Sequence, residues 1–293
     1  MLTINSKLPT TGTSLFTVMS ALASEHNAIN LGQGFPDFPM DETLADLTRK
    51  AIADGHNQYA PMAGYMPLRE AIAHKIETLY QNKISANDNI TVTPGGGYAI
   101  CTAFTTILDP GDEVIVFEPA FDSYIPNIVA CGAIPVIIQL QYPSFKIDWD
   151  KLRSAITPKT KAIIINSPHN PTGTVMSDEE MLQLQEILRN TKIFLISDEV
   201  YEHMTYDGLQ HNSALKYPEL FARSFVCFSL GKVYNCTGWK LGYTIAPKEY
   251  MIEFRKIHQY DVFSCNAPIQ LAMADFMEYD EVFHIGNMYQ QKR

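Results

Sequence analysis

The chain has 293 residues, of which 46% are hydrophobic and 18% are charged, a composition typical of a globular protein with a sizeable core. Its length exceeds the usual size of a single domain, so we expect one large domain and part of a second. The formal net charge is −10; a surface this acidic repels phosphate backbones and argues against a nucleic-acid-binding protein.

The five cysteines are odd in number and form no C-x-x-C pair. Most of them lie in apolar surroundings, so we interpret them as small core residues in a reducing compartment, and no metal site is predicted. The N-terminus, MLTINSKLPTTGTSLF, lacks the apolar core of a signal peptide. No run approaches the roughly 18 apolar residues of a membrane span. A cytoplasmic protein without a membrane partner is therefore expected.

The first clear helical signal follows Pro67, a residue that fits the first turn of a helix. Six residues at helical spacing form one stripe behind it: Leu68, Ala71, Ile72, Lys75, Ile76 and Leu79. The next signal is TPGGGYAI (93–100), in which three glycines precede an apolar run that predicts a helix over 98–108. Bare glycine amides at a helix N-terminus suit an anion, although a plain tight turn is the commoner origin of such a stretch.

Short apolar runs then alternate with amphipathic ones. Ser177 and Glu180 form a capping box ahead of one predicted helix, MLQLQEILRN. Several runs are nearly continuous in Val, Ile and Phe, as buried strands of a mainly parallel sheet should be. The five predicted strands are DEVIVFEP (112–119), AIPVIIQL (133–140), KAIIINS (161–167), IFLISDEV (193–200) and SFVCFSL (224–230). This alternation predicts an α/β architecture with right-handed crossovers.

Polar residues follow three of these strands at the point where each strand ends. They are Asn170 in SPHNPTG, Asp198 and Tyr201 after IFLIS, and Ser229 and Lys232 after SFVCF. Because such sheets bind ligands at the carboxyl ends of their strands, we expect these side chains to meet in one crevice.

Lys232 lies in FSLGKVYNCTGWKLGY (228–243), just after a buried strand, where a cation is costly. A lysine there can be a surface cation, a phosphate clamp or a nucleophile, and most lysines are exposed. Val226 and Val233 exclude a Walker-type phosphate loop, which needs G-x-x-x-x-G-K-[ST]. A partly desolvated lysine near other cations has a lowered pKa and is a good nucleophile towards carbonyls.

The surroundings of Lys232 favour the nucleophile and indicate pyridoxal 5′-phosphate (PLP), which has an aldehyde, a phosphate and a pyridine nitrogen. Asp198 would face the ring nitrogen, unless it is only a helix N-cap. The other candidate contacts are with the phosphate (Gly95, Gly96, Gly97, Ser229 and Lys240), with the phenolic oxygen (Asn170 and Tyr201) and with the ring face (Phe121, for which a core position is the commoner reading).

With these residues in view, the chain resembles the class I PLP-dependent aminotransferases of fold type I, nearest to their methionine aminotransferase and kynurenine–glutamine transaminase branch. The resemblance covers nearly the whole chain, through INLGQGFPDF (29–38), NQYAPMAGYMPLREAIA (57–73), TVTPGGGYAI, FEPAFDSY, NSPHNPTG, SDEVYEHM and SLGKVYNCTGWKLGY. It implies a mainly parallel seven-stranded sheet sandwiched by helices.

The resemblance also implies roles for single residues. Lys232 would be the Schiff-base lysine and proton shuttle, with Asp198 and Tyr201 as the other catalytic residues. Tyr59 would reach the cofactor phosphate of a neighbouring subunit, so a homodimer is implied. The substrate pocket would be lined by Phe16, Gly34, Tyr124, Asn170 and Phe263, the last from the partner chain.

Two features depart from the family pattern. The phosphate cup reads Gly-Gly-Gly where many relatives have a hydroxyl or a larger residue, but backbone amides can still serve. The family also continues into a C-terminal segment with an arginine for the substrate carboxylate. We therefore expect residues 1–42 to be an N-terminal arm and part of the small domain, residues 43–293 to be the large PLP-binding domain running into the interdomain helix, and the C-terminal part of the small domain to be absent.

The expected reaction is the ping-pong transfer of an amino group from an apolar, aromatic or sulfur-containing L-amino acid, with methionine favoured, to a 2-oxo acid. An acidic substrate would need an additional cation for its second carboxylate, and no residue has a clear claim to that role. Two alternatives stay open: a PLP-dependent C–S lyase, and a truncated, non-catalytic PLP-binding dimer.

Overall fold

The computed structural model describes residues 2–9, 11–34, 36, 38–279 and 285–293. The described chain is built around one seven-stranded sheet. Its strands are β1 (Ile90–Thr93), β2 (Glu113–Glu118), β3 (Ile134–Gln139), β4 (Thr160–Asn166), β5 (Phe194–Asp198), β6 (Ser224–Ser229) and β7 (Gly242–Ile245). They lie side by side in the order β1-β7-β6-β5-β4-β2-β3.

Five neighbouring strands of this sheet, β2 to β6, are parallel, whereas β7 runs antiparallel to both β1 and β6. The predicted α/β fold with a mainly parallel seven-stranded sheet is confirmed. The five predicted runs correspond to β2 through β6, of which β4 begins one residue earlier than predicted. Strands β1 and β7 are not among those runs, and each has only four residues.

Helices pack around the sheet and connect its strands. The α-helices of the described residues are α1 (Leu15–Glu25), α2 (Glu42–Ala53), α3 (Met66–Tyr80), α4 (Gly96–Ile107), α5 (Tyr124–Ala130), α6 (Trp149–Ala155), α7 (Asp178–Leu188), α8 (Pro218–Phe221), α9 (Leu230–Val233), α10 (Lys248–Asp261), α11 (Ala267–Tyr279) and α12 (Ile285–Lys292). A short 3₁₀ turn, Thr237–Trp239, links α9 to β7.

Local sequence signals explain where several helices begin. The predicted capping box of α7 is present: the Ser177 hydroxyl accepts a hydrogen bond from the Glu180 N–H at 3.3 Å, and the Glu180 carboxylate accepts one from the Ser177 N–H at 2.9 Å. Pro67 lies in the first turn of α3, as predicted. The predicted helix over 98–108 is α4; it begins two residues earlier, with Gly95 at φ 86° as its N-cap.

The sheet is buried on both faces. Along β4, Ile163 and Ile165 belong to one core cluster, while Ala162 and Ile164 belong to another, as the two-residue period of a strand requires. Helices α3, α7 and α11 contribute to the first cluster, and α4, α5 and α10 to the second. Burial on both faces explains why β2, β4, β5 and β6 appear in the sequence as nearly continuous apolar runs, whereas the edge strand β3 is partly exposed.

Helix α1 contrasts with this core because it has no buried residue. Its apolar side chains Leu15, Val18, Met19 and Leu22 are exposed. None of the helices in the described ranges combines the length and the apolar character needed to cross a membrane. The division into residues 1–42 and 43–293, with part of the small domain absent, stays a prediction.

Candidate active site

The carboxyl ends of β4, β5 and β6 lie side by side, and they carry the polar residues predicted to meet there. Asn166 ends β4 opposite Asp198 at the end of β5. The Asn166 amide donates to the Asp198 carbonyl at 2.9 Å, and its oxygen accepts from the Asn170 N–H at 2.6 Å. Asn166 therefore ties the loop with Asn170 to the strand with Asp198. It is not among the predicted site residues; its one sequence signal is that it ends a predicted strand.

Asp198 is a buried carboxylate, with 2% of its surface exposed. Its Oδ1 accepts from the Val200 N–H at 3.2 Å, and its Oδ2 accepts from the Tyr124 hydroxyl. Burial raises the pKa of Asp198 to about 6, although these hydrogen bonds and the nearby Lys232 favour the ionised form. Such a carboxylate suits a protonated ring nitrogen, since the cation would supply the charge partner that a buried carboxylate requires.

Tyr124 is predicted to line the substrate pocket, and the structure gives it a different set of contacts. It is 3% exposed, and its hydroxyl donates to Asp198. Its ring packs edge-on against the half-buried ring of Phe121, with 5.7 Å between the centroids. Tyr124 thus connects the predicted ring-stacking residue to the buried carboxylate, and its contact with substrate stays a prediction.

Lys232 lies in the short helix α9, directly after β6. The Ser229 hydroxyl caps this helix by accepting from the Lys232 N–H at 3.2 Å. The Lys232 ammonium lies 5.3 Å from the centroid of the Tyr201 ring. Burial lowers the pKa of Lys232, and the charge of Asp198 opposes this only in part. The three predicted catalytic residues, Lys232, Asp198 and Tyr201, are therefore brought together, and the amine is biased towards its neutral, nucleophilic form.

The predicted phosphate cup adjoins this group at the N-terminus of α4. A Cβ placed on Gly95 would lie 3.7 Å from the Lys240 ammonium nitrogen, and one on Gly96 would lie 3.5 Å from the Ser229 Cβ. Gly97 is exposed, and a Cβ there would meet nothing within 4 Å. Free N–H groups at a helix N-terminus attract anions. Backbone amides, a hydroxyl and an ammonium group thus surround one space.

Gly242 at the start of β7 is a site residue that the sequence analysis misses. A Cβ on Gly242 would lie 2.5 Å from the Phe228 carbonyl oxygen and 2.8 Å from backbone atoms of both Gly95 and Gly96. A side chain cannot fit there without moving main chain, so glycine lets β7 approach the cup. Its signal in the sequence is a single glycine two residues after Lys240.

The remaining predicted residues are placed differently. Tyr59 is 81% exposed and Phe263 is 49% exposed, and their rings pack edge-on at 5.3 Å. Phe16 is half-buried on α1, whereas Gly34 is exposed, and a Cβ there would meet no heavy atom within 4 Å. In the INLGQGFPDF motif, residues 35 and 37 lie outside the described residues.

The assembled crevice offers three kinds of group to a ligand: an anion cup, a partly buried amine and a buried carboxylate. A phosphate suits the cup, because the N-terminus of α4 offers backbone N–H groups and Gly95 has no side chain beside the Lys240 ammonium, which would lie 3.7 Å from a Cβ there. The amine of Lys232 can attack a carbonyl, and Asp198 can hold a protonated ring nitrogen. The donor set therefore fits PLP.

Known proteins are similar to this chain in both sequence and fold. The family model of the aminotransferases of class I and II matches residues 26–284. Methionine aminotransferase of Escherichia coli (strain K12) is 45% identical over 290 residues, which are 98% of this chain and 75% of that protein. Kynurenine–oxoglutarate transaminase 1 of Homo sapiens is 36% identical over an alignment of 274 residues that covers 89% of this chain and 65% of that protein. A crystal structure from Escherichia coli with a methionine aminotransferase function matches with a TM-score of 0.95 at 44% identity, over 100% of this chain and 77% of that chain.

Proposed function

The chain belongs to the aminotransferases of class I and II, and from this premise we propose that it moves an amino group from methionine, or from a related apolar or aromatic amino acid, to a 2-oxo acid with PLP as its cofactor. The predicted resemblance to this class, including its methionine and kynurenine branch, is confirmed, and the protein is an enzyme. One observation carries the proposal: Lys232 is partly buried, lies beside Tyr201 and interacts electrostatically with Asp198.

The residues that would hold PLP follow from the crevice. The N–H groups of Gly95, Gly96 and Gly97 would bind the phosphate, together with Ser229 and Lys240. Asp198 would bind the ring nitrogen, and Asn170 and Tyr201 the phenolic oxygen; Phe121 would lie against the ring. When bound, the cofactor supplies a carbonyl carbon for the amino group and a ring that accepts electrons.

Lys232 would have two tasks. Its Nζ, whose pKa burial lowers, would attach the cofactor in its neutral form. The freed Nζ would then take the proton from the α-carbon of the amino acid and return it to the carbon that receives the amino group. A base positioned in this way contributes on the order of 10²–10⁴-fold to the rate. Tyr201, whose ring lies under the Lys232 ammonium, would help to orient it.

Methionine is proposed as the amino donor because the chain is 45% identical to a protein named for that activity. Phe16, Gly34, Tyr124, Asn170 and Phe263 are the proposed substrate contacts. Apolar and aromatic side chains in this set favour an apolar substrate over aspartate, whose second carboxylate would call for a further cation. The relatives compared above are aminotransferases, which supports this reaction over the C–S lyase alternative.

We propose a homodimer, the usual assembly of this class, in which Tyr59 and Phe263 reach the site of the neighbouring subunit. Their exposure in the single chain supports this. The cytoplasm is the proposed location, supported by five cysteines that are all free thiols.

An absorption spectrum of the purified protein with PLP tests the proposed function. The wild type should show visible absorbance from cofactor attached to Lys232, and methionine should change that spectrum faster than aspartate does. Lys232→Ala should lose both this absorbance and turnover, because no other group would attach the cofactor. Lys159→Ala, an exposed lysine, is the matched control and should behave as the wild type. A Lys232→Ala protein that keeps absorbance and turnover would refute the assignment.

A further inference from the structure

A buried ion pair lies next to the candidate active site and has no part in the proposed reaction. Lys75 of α3 and Glu202, in the turn after β5, form a salt bridge whose side chains are 2% and 1% exposed. Glu202 also accepts from the Tyr80 hydroxyl at 2.6 Å, and Lys75 donates to the Tyr243 hydroxyl at 2.9 Å. Lys75, Tyr80, Glu202 and Tyr243 together form the Lys75 cluster.

Stability alone does not account for such a pair. Taking two charges out of water costs several kcal/mol per ion, and replacing a buried pair with uncharged groups of similar shape is often neutral or stabilising. Burial raises the pKa of Glu202, but Lys75 and the other neighbours more than offset this, so the pKa lies below its ordinary value. Glu202 is therefore held ionised inside the core beside Lys75, and the role of the pair lies in the segments of chain that it joins.

At one end, the Lys75 cluster fixes the turn that follows β5, the strand whose last residue carries the carboxylate of the site. Glu202 directly follows Tyr201, and its N–H donates to the Glu199 carbonyl at 3.0 Å. Asp198, the last residue of β5, directly precedes Glu199. Anchoring the Glu202 side chain to α3 therefore restrains Asp198 and Tyr201, the two residues proposed to contact the cofactor ring.

At the other end, the cluster fixes the phosphate side. The Tyr243 ring stacks on Phe228 with 4.9 Å between the centroids, and the Lys75 ammonium lies 5.4 Å from the Phe228 centroid and 5.6 Å from the Tyr243 centroid. Phe228 immediately precedes Ser229, and Tyr243 immediately follows Gly242, whose Cα packs against the cup. Restraining these two rings therefore restrains the strand ends that form the phosphate site.

We propose that the Lys75 cluster is a positioning device that holds the carboxylate end and the phosphate end of the cofactor site at the spacing that bound PLP requires. Its members are positioning residues, since they act through Asp198, Tyr201 and the cup. This inference rests on the proposed function of that site.

The double variant Lys75→Met/Glu202→Gln tests it, because both charges are removed together and the shapes are nearly kept. The melting temperature of the apoprotein should stay at or above that of the wild type. The dissociation constant of PLP, measured by titrating apoprotein, should rise about 10-fold or more, and kcat with methionine should fall by about 10-fold to 100-fold, as misplaced site residues produce.

The control is Lys256→Met/Glu253→Gln, an exposed pair on α10 with side chains 64% and 56% exposed; it should change neither quantity. Tyr243→Phe is a second, milder variant, which removes one hydrogen bond and keeps the ring stack. It should raise the PLP dissociation constant severalfold at an unchanged melting temperature.

Unchanged PLP affinity in Tyr243→Phe, together with unchanged affinity or failure to fold in the double variant, would show that the cluster serves only stability and would overturn the inference. A wild-type protein that binds no PLP would instead overturn the proposed function. The two failures are thus distinguishable.

Discussion

Asp198 shows, at the scale of a single residue, a conflict between stability and function. Its pKa is about 6 in the folded protein, against an ordinary value of 3.8, because of burial. The folded state therefore binds this proton more tightly than the unfolded chain does. The resulting stability is fully present below about pH 4 and is lost as the pH rises through 6. A difference of about two units between the folded and unfolded pKa corresponds to roughly 3 kcal/mol in the free energy of unfolding.

Asp198→Asn should accordingly stabilise the apoprotein at pH 8 but not at pH 4.5. The amide keeps the shape and can still accept from the Val200 N–H, and its NH2 can donate to the Tyr124 hydroxyl oxygen. It carries no charge to desolvate, so we expect a gain of about 3–6 °C in melting temperature at the higher pH. PLP affinity should fall at the same time, because a neutral amide cannot pair with a protonated ring nitrogen. Melting curves of the apoprotein at both pH values measure this. Asp150→Asn, at an exposed carboxylate, should change the melting temperature by the same small amount at both pH values. If Asp198→Asn also changed the melting temperature equally at pH 4.5 and pH 8, the argument would be wrong.

The residues of the site differ in how visible they are in the sequence. Lys232 and Asp198 could be predicted because each follows an apolar run, where an ionisable group is costly to bury and therefore indicates a chemical role. Lys75 could not, because its place in a helical stripe predicts only an interior position, and its partner Glu202 lies 127 positions away. Asn166 and Gly242 likewise depend on neighbours that only the folded chain supplies.

At the scale of elements, the same physical reason decides what could be predicted. Strands β2, β4, β5 and β6 are covered on both faces, so their sequences are continuous apolar runs. The edge strand β3 is apolar in sequence although it is partly exposed. Strand β1 is just as deeply buried, but it is only four residues long and includes the buried Thr91 and Thr93, which interrupt any apolar pattern. Strand β7, GYTI, is also short and begins with glycine. Yet β7 is essential to the site, because it packs against the cup.

Gly242→Ala should therefore damage the cofactor site through the backbone of β7. The added methyl group would lie 2.5 Å from the Phe228 carbonyl and 2.8 Å from cup backbone, so β7 or the cup must shift. We expect the PLP dissociation constant to rise at least about 10-fold, as a displacement near 1 Å produces, with a lower melting temperature. Gly238→Ala is the matched control from the preceding turn, since its Cβ would meet nothing within 4 Å. Equal PLP affinity in the two variants would show that the contact is tolerated.

At the scale of the whole molecule, a single chain leaves two packed aromatic rings exposed to solvent. Tyr59 and Phe263 form an exposed pair, and the loops that carry them are joined by the Ser264 hydroxyl, which donates to the Ala60 carbonyl at 2.9 Å. Exposed aromatic pairs of this kind are typical of protein–protein interfaces. The pair is therefore available for the contact with a second copy of the chain that we propose from the resemblance for both residues.

Hybrid dimers test whether Tyr59 acts across that interface. Tyr59→Ala lacks the proposed phosphate contact, and Lys232→Ala lacks the nucleophile, so each variant alone should be nearly inactive. In a hybrid, the site of the Tyr59→Ala chain has its own Lys232 and receives Tyr59 from its partner. If the two chains are co-expressed and mix randomly, about half of the dimers are hybrids, and each hybrid has one intact site out of two. About a quarter of wild-type activity should therefore return. If Tyr59 served its own subunit, every site would lack one of the two groups and no activity would return, however the chains were mixed.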